Sequence, residues 1–381
     1  VATSVITIPL AAAEQLALPR PQITAWIVAV YGLPSVLGLV LALRYRQPLL
    51  LTGNIFVLIF IVSLNGRLSF AELAGAAVAA GAVVIILNLL GLNGLLAEWV
   101  PAPVVMGLLA GSVLPFVAGI FTVLGQEPLI IGGAFAAYLL SSLFLGKVPP
   151  IFAALVVALV GAAVLGRFGS IDGGFRAPIV EPTLPVFSWE SMLTVTPVLV
   201  VPIVLQANVP SLVFLRSQDY SPPARVLDFL SGIGTMTGSL LGPVGVSMSL
   251  PATALVAGPD AGRPEHRYRA NLIVCSAFLA MLALAGFAAD VIELVPRQMM
   301  LAIAGLAVIG VLGMALGQVT AGPLKLGPLF AFAVTLSDIS LLGLGPAFWA
   351  LAIGVLASRL LERDELKALR EASTTNGPAT P

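Results

Sequence analysis

The chain has 381 residues, with 18 Lys+Arg against 18 Asp+Glu and no formal net charge. Apolar residues make up 59% and charged residues 9%, against about 25% charged in a soluble domain, and the mean hydropathy is +1.07. So few charges cannot coat a water-soluble protein of 39.2 kDa, which excludes a soluble enzyme, a nucleic-acid binder and a disordered chain and leaves a polytopic membrane protein in a lipid bilayer.

The apolar runs are long and rich in Leu, Ala and Val rather than alternating, so the pattern is helical and not that of a β-barrel. In chain order they read Val1–Ala13, Ile23–Leu43, Pro48–Ser63, Glu72–Leu90, Pro103–Val123, Pro128–Leu145 and Pro150–Leu165. After a polar loop they resume as Met192–Leu215, Ala224–Leu241, Pro243–Ala257, Ala270–Ala289, Gln298–Leu316, Gly322–Leu342 and Pro346–Leu361. The sequence thus predicts an all-α integral membrane protein with 14 spans. Residues 1–166 hold spans 1–7, residues 167–191 form an extracytoplasmic loop, residues 192–361 hold spans 8–14, and residues 362–381 form a cytoplasmic tail. Seven spans per half put the halves in opposite orientations, a 7+7 inverted repeat typical of secondary transporters.

Charge supports this layout. With both termini in the cytoplasm, Arg20, Arg67, Arg167, Arg176 and Arg297 lie outside and the other 13 of the 18 basic residues lie inside, as the positive-inside rule requires. The first piece is short: 13 residues make a helix of about 20 Å against a hydrocarbon core of about 30 Å. The chain also begins with Val. The expectation is a truncated first span, with a half-membrane helix as the alternative. No cleavable signal peptide is expected, because the start has no basic region. One cysteine, Cys275, and one histidine, His266, make no transition-metal cage, and no cofactor is expected.

Two short spans are interrupted at matching positions of the halves. The third carries Thr52, Gly53 and Asn54 after Pro48; the tenth carries Gly245, Val246 and Ser247 after Pro243 and before Pro251. Backbone freed from helical bonding at this depth must face protein or a polar cavity. The helix that restarts after each break points its N-terminus, and so partial positive charge, into that cavity. Broken spans 3 and 10 are therefore the expected binding site of a small anion. Pro-kinked spans packed on their neighbours are the plainer reading of each segment alone. Span 8 adds two amides, Gln206 and Asn208, beside Pro210. Buried amides need partners, and the choice lies between substrate contact and interhelical packing. Ser4 and Thr7 of the first piece are further candidates for the cavity lining, with bonding to their own helix as the alternative.

The paired glycines Gly107/Gly111, Gly234/Gly238/Gly242 and Gly313/Gly317 are expected to let helices approach closely. No acidic residue falls at the expected midplane of a span. Asp228, Asp290, Asp338 and Glu14 lie near span ends, where solvated caps are the expected reading; of these Asp338 and Asp228 are the alternatives as ion-coupling groups. No P-loop, nucleophile elbow or zinc signature occurs, so no enzymatic activity is expected.

Several stretches carry a family likeness: Gln22-Ile-Thr-Ala-Trp26, Tyr45-Arg46-Gln-Pro48, Asn208-Val-Pro210, Pro243-Val-Gly245 and Gly343-Leu-Gly-Pro-Ala-Phe-Trp349. In these the chain resembles the benzoate/proton symporter family of bacterial membrane transporters, collinearly over nearly its whole length. That family in turn resembles the uracil-permease type of fold. The resemblance implies a core domain of spans 1–4 and 8–11, a gate domain of spans 5–7 and 12–14, and substrate held between spans 3 and 10 facing span 8. It implies a secondary transporter of a small organic anion, an aromatic carboxylate such as benzoate, in a bacterial inner membrane, with protons as a candidate coupling partner and a homodimer as a candidate assembly. Two motifs depart from the family pattern. Span 3 reads Leu51-Thr-Gly-Asn-Ile-Phe-Val57 where members tend to show Thr-Ala-Trp-Ser-Thr-Pro-Gly, and span 8 reads Gln206-Ala-Asn-Val-Pro-Ser211 where members show Ser-Gln-Asn-x-Pro-Gly. A nucleobase-like or neutral solute on the same scaffold, and an uncoupled anion channel, are the alternatives.

Overall fold

Segments that are apolar on every side fold as helices that satisfy their own backbone, as hydrocarbon demands. The computed structural model describes residues 13, 16–64, 67–144, 149–169, 179–283, 285, 290, 294–337 and 339–375. Helix α1 (Arg20–Tyr45) leads to strand β1 (Leu51–Gly53) and helix α2 (Ile55–Ser63). Helix α3 (Phe70–Leu89) opens on a capping box, in which the Ser69 hydroxyl accepts the Glu72 N–H and the Glu72 carboxylate accepts the Ser69 N–H. Then come α4 (Asn93–Trp99), α5 (Ala102–Leu124), α6 (Pro128–Phe144) and α7 (Pro150–Val164). The second stretch runs α8 (Trp189–Ser217), α9 (Ala224–Gly238), strand β2 (Val246–Met248) and α10 (Leu250–Ala257). It ends with α11 (Tyr268–Leu282), α12 (Arg297–Ala321), α13 (Leu326–Leu336), α14 (Pro346–Leu361) and α15 (Arg363–Thr375). Among the described residues α1, α3, α5, α8 and α12 are long and apolar enough to cross a membrane, and α6, α7, α13 and α14 are shorter apolar helices.

Two expectations need correction. The fold is not wholly helical: β1 and β2 form a two-stranded antiparallel sheet, with Leu51 opposite Met248, Thr52 opposite Ser247 and Gly53 opposite Val246. The backbone groups released by the two breaks thus bond to each other. The connection after α3 carries α4. The span expected over Gly322–Leu342 shrinks to the 11 residues of α13, because Leu341 and Leu344 turn back on each other across Gly343, whose φ is +74°. Of the first apolar piece only Ala13 is described, so its length, Ser4 and Thr7 lie outside the described residues, as do Glu14 and Asp338.

Helix α3 packs on α9 through facing glycines, Gly81 against the Gly232 carbonyl and Gly232 against Ile85. Helix α5 packs on α12 and α13, with Gly107 against Pro328 and Gly111 against Thr335. Gly234 and Gly238 also meet neighbours, at Val246 and Val244. Gly313 and Gly317 do not: a Cβ there would meet nothing within 4 Å among the described residues, which corrects their reading as packing glycines within the chain. Past the end of α14, the buried Glu362 carboxylate accepts the N–H groups of Lys325, Leu326 and Gly327 at 2.5, 2.7 and 2.9 Å and caps α13. One turn earlier, the Arg359 guanidinium lies 4.0 Å from the centre of the Trp99 ring of α4.

Candidate solute-binding site

The strand pair lies between two helices that proline widens. In α1, Pro34 offers no N–H to the carbonyl four residues back, and the chain widens to a π-turn over Val28–Gly32, where Leu33 N–H reaches Val28 five residues back. In α8, Pro202 and Pro210 flank a second π segment, Pro202–Asn208, in which Val209 N–H reaches Val204. The first packs on β1 and the second on β2. At Gly53 a Cβ would lie 2.8 Å from both the Val30 carbonyl oxygen and Val30 Cγ1, so only glycine lets β1 lie against the widened turn. Gly242, with φ +146°, sits against the Trp26 ring, while Trp26 Nε1–H donates to the Pro243 carbonyl at 2.7 Å.

Side chains tie the strands to their surroundings. The Asn54 N–H bonds to the Gly245 carbonyl at 2.7 Å. Its side-chain carbonyl accepts Phe56 N–H at 2.9 Å and Val57 N–H at 3.2 Å, and its Nδ2 donates to Ser247 Oγ at 2.9 Å. Asn54 therefore caps α2 from within. The outer edge of β2 is met by α9 and α8: Val246 N–H donates to Thr235 Oγ1 at 2.9 Å and Met248 N–H to Asn208 Oδ1 at 2.9 Å. Asn208, 0% exposed, spends its amide protons on Asp228 Oδ1 at 2.8 Å and Ser231 Oγ at 3.1 Å. Asp228, 7% exposed, also takes an N–H from Asn93 at 2.7 Å. It is thus buried inside the bundle and not the solvated cap expected from its place near a span end. Asp290, in contrast, pairs with Arg20 at 2.7 Å.

The structure brings Thr52, Gly53, Asn54, Asn208, Gly245, Val246 and Ser247 into one cluster. Gln206 lies on the same π segment as Asn208 and differs from it in one respect. It is 8% exposed, and its Nε2 and Oε1 have no partner among the described residues. The restart of α10 is likewise open. Ser249 makes no side-chain cap, Pro251 supplies no N–H, and the buried Thr253 hydroxyl has no partner among the described residues. Of the two helix N-termini, α2 is capped by its own asparagine and α10 has no side-chain cap. A cavity of about 470 Å³ lies at the C-terminal end of α2, against α5, α13 and α14. Ser63, Arg67, Ser112 and Thr335 are among its lining residues. It does not reach the strands. Ser231, Thr235 and Asn93 are supporting residues of the cluster that sequence reasoning missed, and Asp228 is one it weighed chiefly as a span-end cap. A polar stripe on α9, Asp228, Ser231 and Thr235 at helical spacing, was the available signal.

Residues 1–360 match the family model for the benzoate membrane transport protein. The chain belongs to that family. The benzoate membrane transport family is one of membrane transport proteins rather than a class of enzymes, and its apolar helices make this chain an integral membrane protein. The benzoate membrane transport protein of Acinetobacter baylyi is 24% identical over 355 residues, 92% of this chain and 89% of that relative. The inner membrane protein YdcO of Escherichia coli is 24% identical over 338 residues, 87% of this chain and 85% of its own. Among solved structures, the transmembrane domain of the cyanobacterial bicarbonate transporter BicA aligns with a TM-score of 0.55 at 18% identity, covering 96% of this chain and 94% of that one. Murine Solute Carrier 26 family member A9, an anion transporter, aligns with a TM-score of 0.59 at 14% identity, covering 95% of this chain and 67% of that one. The fold is thus that of a mostly helical membrane transporter.

Proposed function

We propose that this protein is a secondary transporter of a small organic anion, an aromatic carboxylate such as benzoate, carried together with a proton. The observation that carries the reading is the open α10 N-terminus beside the strand pair, with the unpartnered Gln206 amide on the adjoining π segment. A carboxylate takes N–H donors and positive helix potential at such a place. Thr52, Gly53, Asn54, Gly245, Val246 and Ser247 shape the floor, Gln206 contacts the substrate, and Asn208 positions the strand. Family membership and the name of the Acinetobacter relative support the substrate class.

In this reading 14 spans form a 7+7 inverted repeat, with both termini in the cytoplasm and the chain in a bacterial inner membrane. Spans 1–4 and 8–11 make the core, which carries the strands and moves against a gate of spans 5–7 and 12–14. The cavity beside Arg67 is the anion's approach from outside. A carboxylate buried inside the bundle, Asp228, favours the coupled reading over an uncoupled channel.

The test is uptake of labelled carboxylates by proteoliposomes, with and without an acid-outside pH gradient, with uracil as the neutral comparison. Accumulation of an aromatic carboxylate that rises with the gradient is the expected result. Uptake of uracil alone overturns the substrate class, and uptake indifferent to the gradient overturns proton coupling.

A further inference from the structure

Three charged side chains are buried among the described residues: Asp228, Arg267 and Glu362. Arg267 and Glu362 are consumed in tying helix ends, through the Ala257 and Gly262 carbonyls and the α13 N–H groups. Asp228 is tied instead to the strand pair, and its environment is unusual for a carboxylate. Each oxygen takes one amide N–H, Oδ1 from Asn208 and Oδ2 from Asn93, and no cation pairs with it among the described residues. The charged and titratable groups on the neighbouring elements stand apart. Arg225 on its own helix, Arg44 on α1, Arg216 and Glu190 on α8 and Glu98 on α4 are exposed. Tyr45 lies under the Arg44 guanidinium, Tyr31 packs on Phe278, and Glu72 is held in the capping box at the far end of α3.

The two amides are not equivalent. Asn208 cannot reverse, because its Oδ1 accepts the buried Met248 N–H. Asn93 can: its Oδ1 is buried and has no partner among the described residues. A carboxylate needs an N–H at Oδ2, and a carboxylic acid needs an acceptor there. Turning the Asn93 amide by half a rotation exchanges one for the other. Either state leaves one buried Asn93 atom unmatched, so the count of hydrogen bonds favours neither.

We propose that Asp228 is the proton-binding site of the transport cycle, taking one proton on Oδ2 while Asn93 reverses its amide to accept it; this rests on the proton-coupled reading above. The charge balance is simple. One proton on the carboxylate and one monovalent anion at α10 sum to zero. The link between them is Asn208, which holds Asp228 with one end and the N–H of Met248, next to the α10 N-cap Ser249, with the other. The ionised carboxylate opposes an anion at α10 and the neutral acid does not, so proton and anion bind together. A coupling of this kind corresponds to about 5- to 150-fold in substrate affinity. The reversing amide sits on α4, whose Trp99 lies under Arg359 of α14.

The experiment uses the purified full chain. Infrared difference spectra across pH, without substrate, should show a carboxylic-acid C=O band that Asp228→Asn removes. In proteoliposomes, Asp228→Asn should lose at least about tenfold in gradient-driven accumulation relative to its own exchange of benzoate between equal pools, within the range of such couplings. Asn93→Leu keeps the carboxylate and should move the pH midpoint of the band upward, because the ionised form loses the stronger bond. If Asp228→Asn does not fold, that midpoint decides alone. A band absent from the wild type, or unmoved in Asn93→Leu, overturns the site whatever is transported. Gradient-driven accumulation by Asp228→Asn overturns it while leaving the transport reading intact. A titrating Asp228 band with no uptake of any carboxylate supports the site and overturns the transport reading instead.

Discussion

Two neighbouring amides should respond oppositely to the same change. Asn208→Leu removes three buried hydrogen bonds, at 2.8, 3.1 and 2.9 Å. It strands the Met248 N–H, which costs about 1–3 kcal/mol, and takes a donor from a carboxylate, worth about 1.5–3 kcal/mol. Non-additivity brings the expected loss to about 3–5 kcal/mol. Gln206→Leu removes no bond to any described residue, and a swap of similar volume costs the folded state under about 1.5 kcal/mol. It also deletes the amide proposed to contact the solute, for a loss of about 1–3 kcal/mol, or roughly 5- to 150-fold in affinity. Thermal unfolding in detergent reads the first quantity. Calorimetric titration with the best-transported carboxylate reads the second. Asn208→Leu should melt far below the wild type, and Gln206→Leu should melt near it but bind weakly. A Gln206→Leu protein that binds normally, or that unfolds as early as Asn208→Leu, would refute the distinction between a saturated and an open amide.

Gly53→Ala puts a methyl 2.8 Å from Val30 and should destabilise by about 1–3 kcal/mol, whereas Gly313→Ala, with open space around it, should leave the melting temperature unchanged or raised. For topology, a cysteine placed in Ile171–Val180 should react with an impermeant thiol reagent from outside and one in Gly262–Arg269 only after permeabilisation, with the buried native Cys275 silent; reversed labelling would sink the orientation. Burial pushes the Glu362 carboxyl up, but its backbone bonds to Gly327, Lys325 and Leu326 together outweigh this and hold it below the ordinary 4.5. Its contribution to stability is therefore complete above that value and is lost as pH falls through the lowered one. Glu362→Gln should cost about 1 kcal/mol near neutral pH and flatten the acid limb of a stability-against-pH curve, an effect absent if the cap is unimportant.

Much of the helical framework was legible because its cues are local. Pro103 and Leu124 bracket α5, Pro150 opens α7 and Pro346 opens α14, and long apolar runs lie between. The breaks at Gly53 and Gly245 were legible for the same reason. Their pairing was not, since three residues of strand carry no periodicity and Thr52 meets Ser247 only across the fold. Asp228 was misread because its distance from the span end says nothing of α4, a helix of seven residues whose Asn93 covers it. Gln206 and Asn208 look alike in sequence. Only the positions of Met248 and Ser231 separate the amide that is used up from the one that is not.

The strand pair also has a consequence for how such a chain can be made. Leu51–Gly53 leaves the ribosome long before Val246–Met248 exists, and its ladder partners are on that later segment. Until then the first break holds backbone groups that hydrocarbon cannot satisfy. The third apolar segment therefore has to wait in water, at the insertion machinery or against a chaperone, and settles in the bilayer only when its distant counterpart is synthesised. A fragment ending before Val246 should be inserted incompletely and degraded, and supplying the remainder as a separate polypeptide should rescue it.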